Sequence, residues 1–150
     1  MQNVRRGFTL IELLTVITII GILATVGFPK LQATKMKATR ASMVSDLRNL
    51  VSAQEAFFST YADYAGSITS GADVAGSPSS SGALSFRLSP GNAIVLSRMN
   101  PNSATGPGWT ATMTNPAIAN TTFTTCGVFI GSITYSPNAA VTREGTPTCY

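Results

Sequence analysis

The chain has 150 residues, of which 44% are hydrophobic and 11% are charged, and its formal net charge is +4. This length fits one small domain, and the charged fraction is well below the value of about a quarter that is typical of soluble domains. The sequence contains no histidine, so the commonest metal ligand and the usual acid–base side chain are missing. Composition therefore disfavours histidine-dependent hydrolases and most metal enzymes.

Basic residues are concentrated in the first part of the chain. Five of the ten lie between Lys30 and Arg48, and none of them forms a compact run with interleaved aromatic residues. A solvated helix face explains most of the positive charge. The sequence does not support a nucleic-acid partner.

The first informative segment is apolar. Arg5 and Arg6 precede a run from Phe8 to Phe28 in which Glu12 is the only charged residue. As a helix at about 1.5 Å per residue this run is about 30 Å long, which matches a bilayer core, and the arginine pair favours a leader on the cytoplasmic side. The run is longer than the apolar region of a secretory signal and lacks a small-residue cleavage site after it. We therefore predict a membrane-spanning helix over residues 8–29.

Glu12 is unusual because a carboxylate in a membrane helix costs about 2.5–3.5 kcal/mol on insertion scales. Two interpretations remain open on charge placement alone. Glu12 lies near the start of the span, so its side chain can reach the headgroups. Alternatively it has a partner and a function.

The segment from Gly7 to Leu14, GFTLIELL, resembles the processing site of the type IV pilin and type II secretion pseudopilin superfamily. The resemblance implies removal of a leader, residues 1–7, by cleavage between Gly7 and Phe8, and N-methylation of Phe8. It makes Glu12 the signature acidic residue, and it matches a proline that family members often carry at Pro29.

This resemblance suggests a partner for Glu12. Cleavage after Gly7 creates an α-amino group on Phe8, and in a filament of parallel helices the amine of one subunit can pair with Glu12 of a neighbour. Pairing removes most of the cost of a buried charge. Processing is therefore expected to control assembly.

Beyond the span the pattern becomes amphipathic. Hydrophobic residues recur every seven positions, at Met36, Met43, Leu50, Phe57 and Tyr64, and no Gly or Pro occurs from Lys30 to Asp63. This predicts that the helix continues over residues 30–65 with one apolar face against a small sheet. Pro29 removes a backbone donor and allows a kink or local melting at the junction.

Residues 66–150 are expected to form a globular domain. Residues 66–82 are rich in Ser and Gly and predict a surface loop. Short runs rich in β-branched and aromatic residues then predict an antiparallel meander with one buried and one solvated face. The predicted strands are Leu84–Leu88, Ala93–Met99, Trp109–Thr114, Thr121–Ile130 and Ser132–Tyr135.

Cys126 and Cys149 are the two cysteines of the chain. They are expected to pair if the domain leaves the cytoplasm, which closes a loop over residues 126–149 and agrees with the C-terminal disulfide of many type IV pilins. A thiol-redox or metal role is the alternative. It is disfavoured because the spacing is not CxxC and no histidine is present.

The resemblance implies an α+β type IV pilin fold, in which a long N-terminal helix packs on a small antiparallel sheet with a C-terminal disulfide-bounded loop. It implies a structural subunit that polymerises into a surface filament for adhesion, twitching motility or DNA uptake. The alternatives are a type II secretion pseudopilin in a short periplasmic pseudopilus, or a minor or priming pilin. The C-terminal disulfide favours the pilin, because major pseudopilins more often use a calcium site there.

The resemblance also implies partners. These are identical subunits, a prepilin peptidase and N-methyltransferase, an inner-membrane assembly platform and a cytoplasmic ATPase. The precursor is expected in the inner membrane and the product on the cell surface. No cofactor or metal site is expected, since Glu144 is the only acidic residue after Asp73.

Two other classes are disfavoured. A membrane-anchored enzyme would need a catalytic constellation, but there is no G-x-S-x-G turn and no lysine after Lys37. A membrane-anchored adhesin that never polymerises would not need Glu12.

Overall fold

A computed structural model describes residues 7–66, 68–70, 75–79, 82–99, 104–118 and 122–150. The chain divides into two compact units, with the boundary between Lys35 and Met36. The first element, helix α1, spans Leu10–Tyr61 and contributes to both units.

In the first unit every described side chain, from Gly7 to Lys35, is exposed. Threonine hydroxyls donate to backbone carbonyls of the same helix, for example Thr18 Oγ1 to the Leu14 carbonyl oxygen at 2.8 Å. Pro29 lies inside the helix, so the carbonyl of Thr25 has no backbone N–H to accept from at the position four residues later. A kink at Pro29 stays a prediction, since the helix is unbroken there.

In the second unit the predicted apolar face of α1 is confirmed. Met43, Leu50 and Phe57 are buried and Met36 is half-buried, with Leu47 also fully buried. The helix ends at Tyr61, short of the predicted boundary at residue 65, and the seven-residue pattern continues into buried Tyr64 beyond its end.

The described residues of the second unit form seven strands. Five form an antiparallel sheet in the order β1–β4–β5–β6–β7, and β2 and β3 form a separate antiparallel pair. Their bounds are β1 Ile68–Ser70, β2 Ala75–Ser79, β3 Gly82–Ser85, β4 Ala93–Met99, β5 Gly108–Thr114, β6 Thr125–Ile130 and β7 Thr148–Cys149. The α+β fold, with a long helix on an antiparallel sheet, is confirmed.

The predictions for β4 and β5 are confirmed, but those for the flanking segments need correction. The predicted loop 66–82 contains β1 and β2, while residues 67, 71–74, 80 and 81 lie outside the described residues. The predicted strand Leu84–Leu88 is shifted, because β3 ends at Ser85 and pairs with β2 rather than with the main sheet. Leu84, Phe86 and Leu88 are nevertheless buried in the core.

Two predictions near β6 also need correction. Within the predicted strand Thr121–Ile130, β6 begins only at Thr125, and residue 121 is not among the described residues. The predicted strand Ser132–Tyr135 is wrong: Ile133–Tyr135 is a 3-10 helix. One reason is local, because the hydroxyl of Ser132 accepts a hydrogen bond from the Thr134 N–H at 3.3 Å and caps this turn.

The main core lies between α1 and the inner face of the sheet. The fully buried side chains of β5, Trp109, Ala111 and Met113, belong to the same cluster as Leu47 and Leu50 of α1. The alternation predicted for β5 is therefore confirmed on its buried side. Burial of large apolar side chains, about 1.5–3 kcal/mol for each, supplies most of the stability of this unit.

A buried polar network attaches the turn before β4 to α1. Asp46 is 4% exposed, and its carboxylate accepts hydrogen bonds from the Ser89 N–H at 2.8 Å, the Ser89 hydroxyl at 2.8 Å and Asn92 Nδ2 at 2.7 Å. Asn115 Nδ2, after β5, donates to Asn92 Oδ1 at 2.8 Å. The buried carboxylate thus joins α1 to the turn before β4, and Asn92 extends the network to the segment after β5.

The outer face of the sheet is less solvated than predicted. Thr114 is exposed, but Thr110 and Thr112 are half-buried. Phe129 of β6 is only 1% exposed, because it forms a second core with Tyr135 and Val141 of the segment between β6 and β7. The segment that contains the predicted disulfide loop therefore covers part of this face.

The predicted disulfide is present. Cys126 and Cys149 are bonded to each other and are directly opposite in the pairing of β6 with β7. The described part of the chain has no free cysteine.

Candidate processing and assembly site

The predicted cleavage site lies just before the first helical turn. Gly7, Phe8 and Thr9 are exposed and non-helical, and α1 begins at Leu10. An exposed segment without helical hydrogen bonds is the kind of backbone that a peptidase can bind. The bond between Gly7 and Phe8, the predicted cleavage site, is therefore exposed.

Glu12 forms a capping box with Thr9. The Thr9 N–H and the Thr9 hydroxyl donate to Glu12 Oε2 at 2.8 and 2.7 Å, and the Glu12 N–H donates to Thr9 Oγ1 at 3.3 Å. This reciprocal arrangement satisfies backbone donors that have no partner at a helix start, and a cap of this kind contributes about 1 kcal/mol to helix stability. Sequence analysis missed this role, although the T-x-x-E signal at Thr9–Glu12 is in the sequence.

The capping box places a negative charge beside the predicted cleavage site. The Thr9 N–H that donates to Glu12 belongs to the residue directly after Phe8. In the intact chain the backbone nitrogen of Phe8 is a neutral amide, and the predicted cleavage would turn it into an amine with a positive charge. The helix N-terminus also favours an anion at this point.

The apolar surface of the first unit is fully exposed. Large hydrophobic side chains from Phe8 to Leu31 are 47–83% exposed, and a methyl group in place of a hydrogen at Gly21 or Gly27 would meet no neighbour beyond the adjoining residues and backbone of the helix itself. Within the described residues, α1 is the one helix long and apolar enough to cross a membrane. A continuous apolar surface of this size marks contact with lipid or with protein.

The remaining predicted residues lie elsewhere. Pro29 is on the same helix as Glu12, whereas Cys126 and Cys149 belong to the second unit. In the ranges that the structure describes, His, Cys, Asp and Glu do not form a group of three or more that could hold a metal ion.

Comparisons with known proteins find similarity in the N-terminal region that contains this helix start. Residues 2–28 match the family described as "Prokaryotic N-terminal methylation motif". The type IV major pilin protein PilA of Myxococcus xanthus is 41% identical over 66 residues, which cover 42% of this chain and 30% of that protein.

Type II secretion system core protein G of Klebsiella michiganensis is 47% identical over 53 residues, covering 35% of this chain and 37% of that protein. Core protein G of Pectobacterium carotovorum subsp. carotovorum is 45% identical over 53 residues, covering 35% of this chain and 34% of that protein. No solved structure gives a significant match.

The matches span about a third of the length of these curated relatives. Over its N-terminal region the chain is similar to a type IV major pilin and to type II secretion system core proteins G. The resemblance that GFTLIELL indicated is thus confirmed. The matched relatives are named as a pilin and as secretion-system core proteins, not as enzymes.

Proposed function

We propose that this protein is a type IV pilin, a structural subunit that polymerises into a surface filament through its N-terminal helix. In this proposal a prepilin peptidase cleaves between Gly7 and Phe8, and Phe8 is then N-methylated. The observation that carries the proposal is the position of Glu12, a carboxylate beside the proposed N-terminus at the start of α1, whose first part carries exposed apolar side chains.

The exposed apolar side chains of residues 8–29 must be shielded from water both before and after assembly. Each large apolar side chain gains about 1.5–3 kcal/mol when it leaves water. In the precursor, lipid supplies the apolar surroundings of residues 8–29. In a filament, the corresponding helices of neighbouring subunits replace the lipid, so the same surface serves for anchoring and for polymerisation.

Glu12 makes the transfer of the helix from lipid into the filament dependent on processing. An unpaired carboxylate is costly away from water, and the amine of Phe8 on a neighbouring subunit supplies an opposite charge only after processing. Uncleaved subunits lack that charge and are excluded from the filament. Pro29 permits the adjustment of the helix that close packing requires.

The proposal places the precursor in the inner membrane and the assembled product on the cell surface. Its partners are identical subunits, the prepilin peptidase and N-methyltransferase, an inner-membrane platform and a cytoplasmic ATPase. Adhesion, twitching motility and DNA uptake are the tasks we associate with such a filament. The Cys126–Cys149 disulfide is consistent with a domain that works outside the cytoplasm.

A type II secretion pseudopilin, or a minor or priming pilin, is the second candidate. The matches to type II secretion core protein G from several bacteria favour the pseudopilin. The match to the Myxococcus xanthus pilin extends over more residues, 66 against 53 for core protein G of Klebsiella michiganensis. A pseudopilin would form a short periplasmic pseudopilus instead of a surface fibre.

Intact mass spectrometry of filaments sheared from cells tests the proposal. We expect a mass that lacks Met1–Gly7, carries one added methyl group and lacks two hydrogens for the disulfide. A processed chain found only in the membrane fraction would instead favour the pseudopilin or a scarce minor pilin. A functional chain that keeps its leader would contradict both candidates.

The charge of Glu12 is separable from its capping role. Glu12→Gln keeps an oxygen that can accept the Thr9 N–H but removes the negative charge, whereas Thr9→Ala removes the capping hydroxyl and keeps the charge. We expect Glu12→Gln to be cleaved normally and to form few or misregistered filaments in electron micrographs, with Thr9→Ala affected less. Normal filaments from Glu12→Gln would show that charge pairing does not drive assembly.

A further inference from the structure

Gln54 interrupts the buried apolar face of α1. It is fully buried and lies between Leu50 and Phe57 on that face. Its Oε1 accepts a hydrogen bond from the Ala65 N–H at 2.9 Å, and this donor identifies which end of the amide is the oxygen. The Nε2 group, which carries two N–H donors, has no acceptor within the described residues.

A second buried donor of this kind lies at the start of β5. Trp109 is fully buried, and in the part of the chain that the structure describes its indole N–H donates to no acceptor. The indole nitrogen is a donor only, so an acceptor is what it lacks. Buried polar groups of folded proteins are nearly always hydrogen-bonded, either to protein or to ordered water.

Both side chains contact the segment that follows α1, residues 63–65. Gln54 binds the backbone of Ala65. The rings of Trp109 and Tyr64 meet edge to face, with their centroids 6.5 Å apart. The two donors therefore lie on either side of one short stretch of chain.

Strand pairing places Trp109 at this location independently. Arg98 is directly opposite Trp109 in the pairing of β4 with β5, so the two side chains lie on the same face of the sheet. Arg98 forms its ion pair with Asp63, the residue before Tyr64. The end of α1, the segment 63–65 and the start of β5 thus surround both donors.

We propose that one internal water molecule accepts hydrogen bonds from Gln54 Nε2 and from the Trp109 indole N–H and so joins α1 to β5. The water oxygen has two lone pairs and accepts from both donors at once. A neutral acceptor fits this site, since an anion would lose its hydration in an apolar core. The last turn of a helix leaves carbonyls without partners in the helix, and these can accept the protons of the water. Internal waters typically make about three such hydrogen bonds.

The water site gives α1 a preferred alignment on the sheet. Burial of Leu50 and Phe57 is non-directional, so apolar packing alone distinguishes poorly between neighbouring alignments. Gln54 is satisfied only where Ala65 and the shared water are both within reach. A single polar residue in an apolar helix face fixes the register of coiled coils in the same way.

Nuclear magnetic resonance of the full ¹⁵N-labelled chain in detergent micelles tests the site. Water-selective NOE and ROE spectra detect protons that lie beside a bound water. We expect cross-peaks with water at Trp109 Hε1 and at the Gln54 side-chain N–H protons. Their signs should be opposite in the two spectra, as dipolar contact requires and chemical exchange does not. The cross-peaks should persist in Tyr64→Phe, which removes a hydroxyl whose exchange with water could relay the signal.

A matched pair of methionine variants tests whether the two donors share one water. Gln54→Met removes the amide and keeps a side chain of similar length. Leu50→Met changes an equally buried side chain of the same helix face and removes no donor. We expect the water cross-peak of Trp109 to be lost in Gln54→Met and kept in Leu50→Met.

The native protein alone decides whether the water is present, even if Gln54→Met fails to fold. The proposal is wrong if Trp109 Hε1 or the Gln54 amide shows no cross-peak with water, or if the cross-peaks disappear in Tyr64→Phe. An upfield-shifted indole proton without water contact would instead indicate that this N–H points at the Tyr64 ring. A Trp109 cross-peak that survives in Gln54→Met, or that is also lost in Leu50→Met, would contradict a shared water.

Discussion

The two units of this chain share one helix but stabilise it by different means. From Gly7 to Lys35 every described side chain is exposed, and the helix is held by its own backbone hydrogen bonds and by the Thr9–Glu12 capping box. From Met36 onward the helix has a buried face, and fully buried Leu47 and Leu50 pack in a core with a sheet.

The difference shows what each part of the helix requires. The first unit carries apolar side chains that nothing in the described single chain covers, so its stability depends on the solvent or on neighbours. In the second unit the buried face of the helix packs against apolar residues of the same unit, and this packing stabilises the helix. In the proposed function, the first unit supplies the polymer contacts and the second unit supplies the exposed surface.

The sharpest test of this comparison is a matched pair of leucine truncations. Leu47→Ala removes a fully buried side chain and is expected to lower the free energy of unfolding of the second unit by about 2–5 kcal/mol. Leu14→Ala, which is 53% exposed at the native leucine, should leave that free energy unchanged. Urea titration in detergent, followed by fluorescence of the single and fully buried Trp109, measures both. Equal losses would show that the two units unfold together.

A second test concerns the buried carboxylate. Asp46→Asn places an amide donor against the donors of Ser89 and Asn92, so we expect a loss of about 2 kcal/mol in unfolding free energy. The control is Asp63→Asn, which removes the half-exposed ion pair with Arg98 and should cost less than about 1 kcal/mol. Similar values for the two variants would show that burial does not strengthen the Asp46 network.

A substitution directly after α1 is expected to have a smaller effect and to raise, not lower, the free energy of unfolding. Ala62 follows the helix with a φ of 53°, a left-handed conformation that favours glycine. Ala62→Gly is expected to raise the free energy of unfolding by about 0.5–1 kcal/mol. Ala56→Gly, at an exposed position inside the helix, should lower it by about 1 kcal/mol. Destabilisation by both substitutions would indicate that the left-handed residue carries no strain.

The smallest expected effect depends on pH. Burial, together with the charge of Glu55, raises the pKa of Tyr64 from 10.0 to about 12, and the Tyr64 hydroxyl donates to Glu55 Oε1 at 3.2 Å. Between pH 10 and pH 12 the unfolded chain therefore binds fewer protons than the folded chain, so stability falls as pH rises. Tyr64→Phe should flatten this part of the stability curve, as measured by thermal unfolding at several pH values. If the slope of stability against pH is unchanged in Tyr64→Phe, groups other than Tyr64 cause the fall in stability.

Local patterns in the sequence were sufficient for a large part of the fold. The seven-residue repeat predicted which side of α1 is buried, and alternation in β5 predicted that Trp109, Ala111 and Met113 face the core. The processing motif led to Gly7, Phe8 and Glu12 directly. These features are readable because periodicity and short motifs depend on neighbouring residues.

The failures came from segments in which distant contacts compete with local propensity. Ser132–Tyr135 has the composition of a strand, but the Ser132 cap and the packing of Tyr135 over Gly108 produce a 3-10 turn. The Ser- and Gly-rich segment after the helix contributes β1, because its backbone pairs with the edge of β4 that β5 does not occupy.

The membrane-length helix, the processing motif, the amphipathic face and the pair of cysteines could therefore be read from local sequence patterns. That Asp46 organises the turn before β4, and that residues between β6 and β7 cover part of the outer sheet face, became visible only in the folded structure. The physical reason is the range of the interactions. Helical periodicity and capping act over a few residues, whereas burial of a carboxylate or of Tyr135 requires residues that are far apart in the chain to meet.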